Sequence, residues 1–108
     1  MQKLLFVCSQ NKWRSLTAEK ILENHEDFWV KSAGTENGAR VKISAGLIGW
    51  ADIIFVMEKK HRSRIQEKYK ETVGGKPLYV LNIPDDYQFM DEELIEILLN
   101  RIGEIIDL

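Results

Sequence analysis

The residues best equipped for chemistry fall in one stretch, Cys8-Ser9-Gln10-Asn11-Lys12-Trp13-Arg14-Ser15. It holds the single cysteine of the chain, then after five residues an arginine followed by a hydroxyl residue. An apolar strand leads into Cys8, and helical spacing begins near Arg14 and Ser15. The sulfur therefore sits by a helix amino terminus, where unpaired N–H groups and the positive end of the dipole favour an anion. Such a place stabilises a thiolate at neutral pH. The same loop amides can cradle phosphate oxygens, and the planar fork of Arg14 matches two of them at once. Cys8 thus reads as a nucleophile, Ser9, Gln10, Asn11, Lys12 and Trp13 as an anion cradle, and Arg14 as its clamp. A lone cysteine ending a buried strand is ordinarily packing; the arginine and hydroxyl at this spacing turn the reading toward chemistry.

The elements that must position this loop can be read from hydrophobic periodicity. Leu4-Leu5-Phe6-Val7-Cys8 and Ile53-Ile54-Phe55-Val56-Met57 are continuous apolar runs, as strands buried on both faces require. Trp29–Ala33, stopped by Gly34, and Leu78–Leu81 supply two more strands. Helical spacing follows the first strand through Leu16, Ala18, Ile21 and Leu22, fills Glu58–Lys70, and returns after Asp91, a candidate N-cap. The segment from Thr35 to Trp50 reads as a loop or a short helix near Val41–Leu47. Strands alternating with helices specify an α/β fold: a four-stranded parallel sheet with helices on both faces, three layers in all. Ligands of such sheets bind outside the carboxyl ends of the strands, where Cys8 lies.

Composition narrows the remaining classes. One hundred and eight residues suit a single domain, residues 1–108, with no linker or repeat. Fifteen Lys and Arg against 17 Asp and Glu leave a net charge of −2, which offers no global positive field for nucleic acid or an anionic membrane. No apolar run approaches the roughly 20 residues needed to cross a bilayer, and the amino terminus is too soon interrupted by polar residues for a signal peptide. A single cysteine permits no internal disulfide and no cysteine-based metal cluster, so a reduced, cytoplasmic home is expected.

The Cys8-(five residues)-Arg14-Ser15 loop, with Asn11 inside it, resembles the active-site loop of the low-molecular-weight protein tyrosine phosphatases. The likeness continues through Ala18-Glu19, Ser32-Ala33-Gly34-Thr35, Ala51–Met57 with His61-Arg62, and Ile83-Pro84-Asp85-Asp86-Tyr87, in the family's order. The resemblance implies a phosphotyrosine phosphatase I-like fold and a hydrolase that works through a phosphocysteine intermediate. Its implied substrate is a phosphorylated protein or small phosphomonoester, with no metal or organic cofactor. On the same footing Asp85 is the general acid and then base, Ser15 a phosphate-binding residue and hydrogen-bond donor to the sulfur, Asn11 the keeper of the loop shape, and Tyr87 an aromatic wall. On spacing alone, Asp85 and Asp86 after Pro84 read as turn residues, and Asp86 remains a substitute candidate for the acid.

Departures from the family pattern carry expectations of their own. Gln10 stands where glycine is common and would be strained if the position needed positive φ. Trp13 replaces a second cysteine, so an oxidised Cys8 has no neighbour to trap it. Lys12 is basic where an apolar residue often faces the substrate, which suggests a more anionic substrate. Asp86 adds negative charge near the phosphate site, and the shortened 35–50 segment leaves the mouth more open. These features favour, as an alternative, a catalytically weak or inactive phosphate- or phosphoprotein-binding module on the same scaffold. An arsenate reductase would need further cysteines, and a phosphoryl carrier would dispense with Arg14. His25, His61 and the Glu58–Lys60 charges read as surface helix residues, Ser32 as a buttress of the loop or an ordinary strand end. Oligomeric state is not written in the chain.

Overall fold

Strand β1 (Gln2–Cys8) splits its side chains between two cores, and the rest of the molecule is arranged around that division. In the computed structural model, which describes all 108 residues, Leu4, Phe6 and Cys8 face one side and Leu5 and Val7 the other. Strand β3 (Ile53–Val56) repeats the alternation, with Ile53 and Phe55 on the first side and Ile54 and Val56 on the second. All of these but Cys8 and Ile53 are sealed from water. Each such aliphatic or aromatic side chain contributes roughly 1.5–3 kcal/mol by its burial, so β1 and β3 form the spine of the fold. Phe6 and Phe55 stack across the pair with centroids 5.0 Å apart.

The sheet is parallel throughout, in the order β2-β1-β3-β4, with β2 spanning Phe28–Gly34 and β4 Leu78–Val80. Helices α1 (Arg14–Leu22) and α4 (Glu92–Gly103) cover the first face through Ala18, Leu22, Leu94, Leu98 and Ile102. Helices α2 (Ala45–Trp50) and α3 (Lys59–Val73) cover the second through Ile48 and Ile65. The three-layer α/β architecture read from the sequence is the one observed. The chain passes from β1 outward to β2, then crosses to the other side as β3. That reversal opens a crevice at the carboxyl ends of β1 and β3.

Local signals explain most of the helix boundaries. Asp91 caps α4 as expected, accepting from the N–H groups of Glu93 at 2.9 Å and Leu94 at 3.3 Å. Helix α3 stops at Gly74, which takes φ 52°, a conformation that favours glycine. The helix expected near Val41–Leu47 lies further on: Ser44 accepts from Leu47 N–H at 3.2 Å and starts α2 at Ala45. Val41 to Ile43 instead run extended beside Gly34, whose N–H and C=O bond Val41 and Ile43 at 2.8 and 2.9 Å. Lys76 completes the helix end by donating to the carbonyls of Ile48, Gly49 and Ala51. His25 lies in the turn after α1, its ring 4.6 Å from that of Phe28, rather than on a helix surface.

Candidate active site

The loop after β1 is shaped by its asparagine. Asn11 is fully buried with φ 57°, the left-handed region that asparagine tolerates better than most residues. Its side-chain amide donates to Ser15 Oγ at 2.7 Å, and its carbonyl accepts from Arg40 Nε at 3.2 Å. Gln10 does not take positive φ, so the strain that a glutamine there could have carried does not arise. From behind, the amides of Thr35, Glu36 and Arg40 bond the carbonyls of Cys8, Ser9 and Gln10 at 3.0, 3.0 and 2.9 Å. This close approach explains Gly34: a Cβ there would lie 2.5 Å from the Ser9 carbonyl oxygen and 2.7 Å from Ala39 Cβ.

Helix α1 starts at the loop's end with no side chain capping it. Its first N–H groups are left for another partner, and an anion is the one that helix ends favour. Cys8 Sγ lies 2.9 Å from Ser15 Oγ. Because Asn11 already donates to that oxygen, Ser15's one proton is free for the sulfur, its other acceptor being Ala33 C=O at 3.4 Å. A donor at this distance stabilises a thiolate. Asn11 and Ser15, expected to touch phosphate, are buried behind the loop, where they hold its shape and the sulfur.

Arg14 is 2% exposed, and its contacts come from the loops after β3 and β4. One amino group donates to Glu58 Oε2 at 2.6 Å and to the Ile83 carbonyl at 2.8 Å. Its Nε lies 3.6 Å from Asp85 Oδ1. With one amino group tied down in this way, the guanidinium plane is fixed. Cys8, Ser9, Gln10, Lys12, Trp13, Arg14 and Asp85 together line a cavity of about 170 Å³. A larger groove of about 450 Å³ lies between α3 and the Thr35–Ile43 segment, but it holds no cysteine or histidine, and its Arg64 and Glu36 pair with each other at 2.7 Å.

Asp85, the acid implied by the resemblance, lines the cavity, and Asp86, its substitute, is not among the lining residues. Tyr87 departs from expectation. Its ring packs against the core beneath α1 and α4, its hydroxyl donates to Glu93 at 3.5 Å, and it does not line the cavity. The aromatic residue at the rim is Trp13, 44% exposed. No residue of the 35–50 segment lines the cavity. Ser32 donates to Glu19 at 2.7 Å rather than to the loop. No three His, Cys, Asp or Glu side chains come together as a metal site would require.

Two residues read as surface charge prove to be part of the site. Glu58, at the N-cap of α3, pairs with Arg14; burial raises its pKa, but the hydrogen bond and charge of Arg14, with Lys60 and His61, more than offset this and hold it below its ordinary value. His61 is fully buried: its Nδ1 accepts from Glu58 N–H at 3.0 Å, and its Nε2 lies 2.9 Å from Ser9 Oγ. With Glu58 it forms a reciprocal capping box, a signal present in the sequence as Glu-x-x-His.

Burial, followed by the charge of Arg14, pushes His61 down from 6.5 to about 4, with Glu58 opposing. The unfolded chain therefore takes up a proton at a higher pH than the folded one. Stability falls as pH drops from 6.5 toward 4 and levels off below that. The contribution amounts to about 3 kcal/mol in all. Melting temperatures measured across this window should fall less steeply for His61→Asn than for the wild type. Equal slopes would assign the acid sensitivity to another group.

No protein-family model and no curated protein sequence matches the chain. Solved structures do. The low molecular weight protein tyrosine phosphatase from Streptococcus pyogenes superposes with a TM-score of 0.78 at 16% identity, covering 99% of this chain and 95% of that one. The tyrosine phosphatase Wzb from Escherichia coli K30, solved with phosphate, gives 0.75 at 22% identity, covering 96% of each chain. The YwlE arginine phosphatase from Geobacillus stearothermophilus gives 0.72 at 21% identity, covering 96% of this chain and 92% of that one. Over nearly its whole length, then, this chain has the fold of the low-molecular-weight tyrosine phosphatases.

Proposed function

We infer that the protein is a phosphomonoester hydrolase of the protein tyrosine phosphatase type, working through a phosphocysteine. The observation that carries this reading is the convergence of Cys8, Arg14 and Asp85 on one small cavity at an uncapped helix amino terminus. That its structural neighbours include tyrosine and arginine phosphatases supports it.

In the first step Cys8 Sγ attacks phosphorus in line. The P–O ester bond breaks, and the proton carried by Asp85 passes to the departing oxygen. In the second, water attacks phosphorus and gives a proton to the Asp85 carboxylate. The P–S bond breaks, and the thiolate returns to its hydrogen bond with Ser15. Arg14 and the loop amides hold the three spread oxygens throughout, which is where most catalysis of phosphoryl transfer resides. Trp13 and Lys12 at the rim suit a phosphorylated aromatic side chain with acidic neighbours. No cofactor takes part in these steps.

The test is hydrolysis of p-nitrophenyl phosphate, with inorganic phosphate affinity measured alongside. Turnover by the wild type, lowered about 10²-fold in Asp85→Asn and little changed in Asp86→Asn, supports the reading. Phosphate binding without turnover favours the binding module. Damage confined to Asp86→Asn would move the acid to that residue.

A further inference from the structure

His61 is tied to the anion cradle by a chain of hydrogen bonds whose direction can be worked out. The backbone N–H of Glu58 can only donate, so the Nδ1 that accepts it at 3.0 Å bears no proton. A neutral ring then carries its proton on Nε2, 2.9 Å from Ser9 Oγ. The low pKa of His61 agrees with a ring that stays neutral. Ser9 Oγ therefore accepts from His61, and its own proton has no acceptor within the protein. Ser9 lines the cavity beside Cys8 and Arg14, so that proton is available to whatever occupies it.

We propose that His61 is a positioning residue that commits the Ser9 hydroxyl as a donor to the transferring phosphoryl group. The proposal rests on the phosphoryl-transfer reading and deepens it, since it adds Ser9 Oγ–H to the donors supplied by the loop amides and Arg14. The chain of donors runs from Glu58 N–H to His61, from His61 to Ser9, and from Ser9 to a phosphoryl oxygen; no proton changes hands along it. Each link polarises the next, and its origin is the positive end of α3. The same helix start also fixes Arg14 through the Glu58 carboxylate. One capping box thereby sets two of the contacts that a phosphate would meet.

The experiment is a double-mutant cycle on Ser9→Ala and His61→Asn, read with p-nitrophenyl phosphate. Asparagine places an acceptor where Nδ1 stood and so keeps the bond to Glu58 N–H, but it is too short to reach Ser9. If His61 acts through Ser9, each single change lowers kcat about tenfold, below the usual cost of losing an oxyanion donor, with KM little altered. The double variant is then no worse than either single one. Losses that multiply, or full kcat in His61→Asn, would overturn the proposal.

A second arm does not depend on how well the His61 variant folds. Ser9→Thr, which keeps a hydroxyl, should restore most of the kcat lost in Ser9→Ala, and an undiminished kcat in Ser9→Ala would be fatal. Should the wild type not turn over at all, the phosphatase reading fails by itself. The same cycle read as the affinity for inorganic phosphate would still test the Ser9–His61 link, non-additive losses supporting it and additive ones refuting it.

Discussion

Changing Cys8 to serine should cut turnover of an aryl phosphate by more than about 10⁴-fold while leaving inorganic phosphate bound nearly as well as before. A serine hydroxyl is a weak nucleophile unless a base takes its proton, and the one carboxyl at the cavity, Asp85, is needed in its protonated form for the leaving oxygen. The neighbour 2.9 Å from the sulfur is the hydroxyl of Ser15, which donates rather than accepts in the working state. The one buried histidine has both ring nitrogens engaged, by Glu58 and Ser9. The cradle itself is untouched by the change, because the amides of the loop and the guanidinium of Arg14 are held by other contacts. Steady-state kinetics and phosphate titration on the same preparation check both halves. Retained turnover would show that another group attacks phosphorus.

Arg14→Lys should lower kcat/KM by about 10³-fold. The side chain serves two sides at once: one amino group holds Glu58 and the Ile83 carbonyl, and Arg14 also lines the cavity. Lysine has a single ammonium on a flexible stem. It can pair with Glu58 or reach the phosphate, and it cannot present two parallel donors to two oxygens. Affinity for inorganic phosphate should weaken too, since the ground state shares part of the clamp. A loss below tenfold would mean that the loop amides carry the charge alone and that the pair with Glu58 is only structural.

The candidate nucleophile and clamp could be singled out because they sit in one loop, where a strand end, a helix start and two reactive side chains fall within a few residues. The sheet was legible for a similar reason: β1 and β3 are apolar at successive positions, as strands covered on both faces must be. What spacing could not show was long-range. Glu58 meets Arg14 across 44 residues, and His61 meets Ser9 across 52, so both looked like ordinary members of a charge-rich helix. Their capping box was visible in principle, but an acidic N-cap answered by histidine is not the usual Ser/Thr with Glu/Gln pattern. Tyr87, expected as the aromatic wall, packs against the core instead, and Trp13, read as part of the anion cradle, is the aromatic residue at the rim. The tyrosine packs against the core beneath α4, whereas Trp13, at the N-cap of α1, stays exposed. For α2, Ser44 was the overlooked signal, a serine placed to cap three residues ahead.

The covalent role of Cys8 is the centre of this account, and trapping the phosphoenzyme tests it most directly. Wild type mixed with p-nitrophenyl phosphate, quenched in acid within one turnover and digested, should yield one phosphorylated peptide, with the phosphate on Cys8. Product formed at full rate with no phosphate on Cys8, or with phosphate on His61 instead, would contradict it.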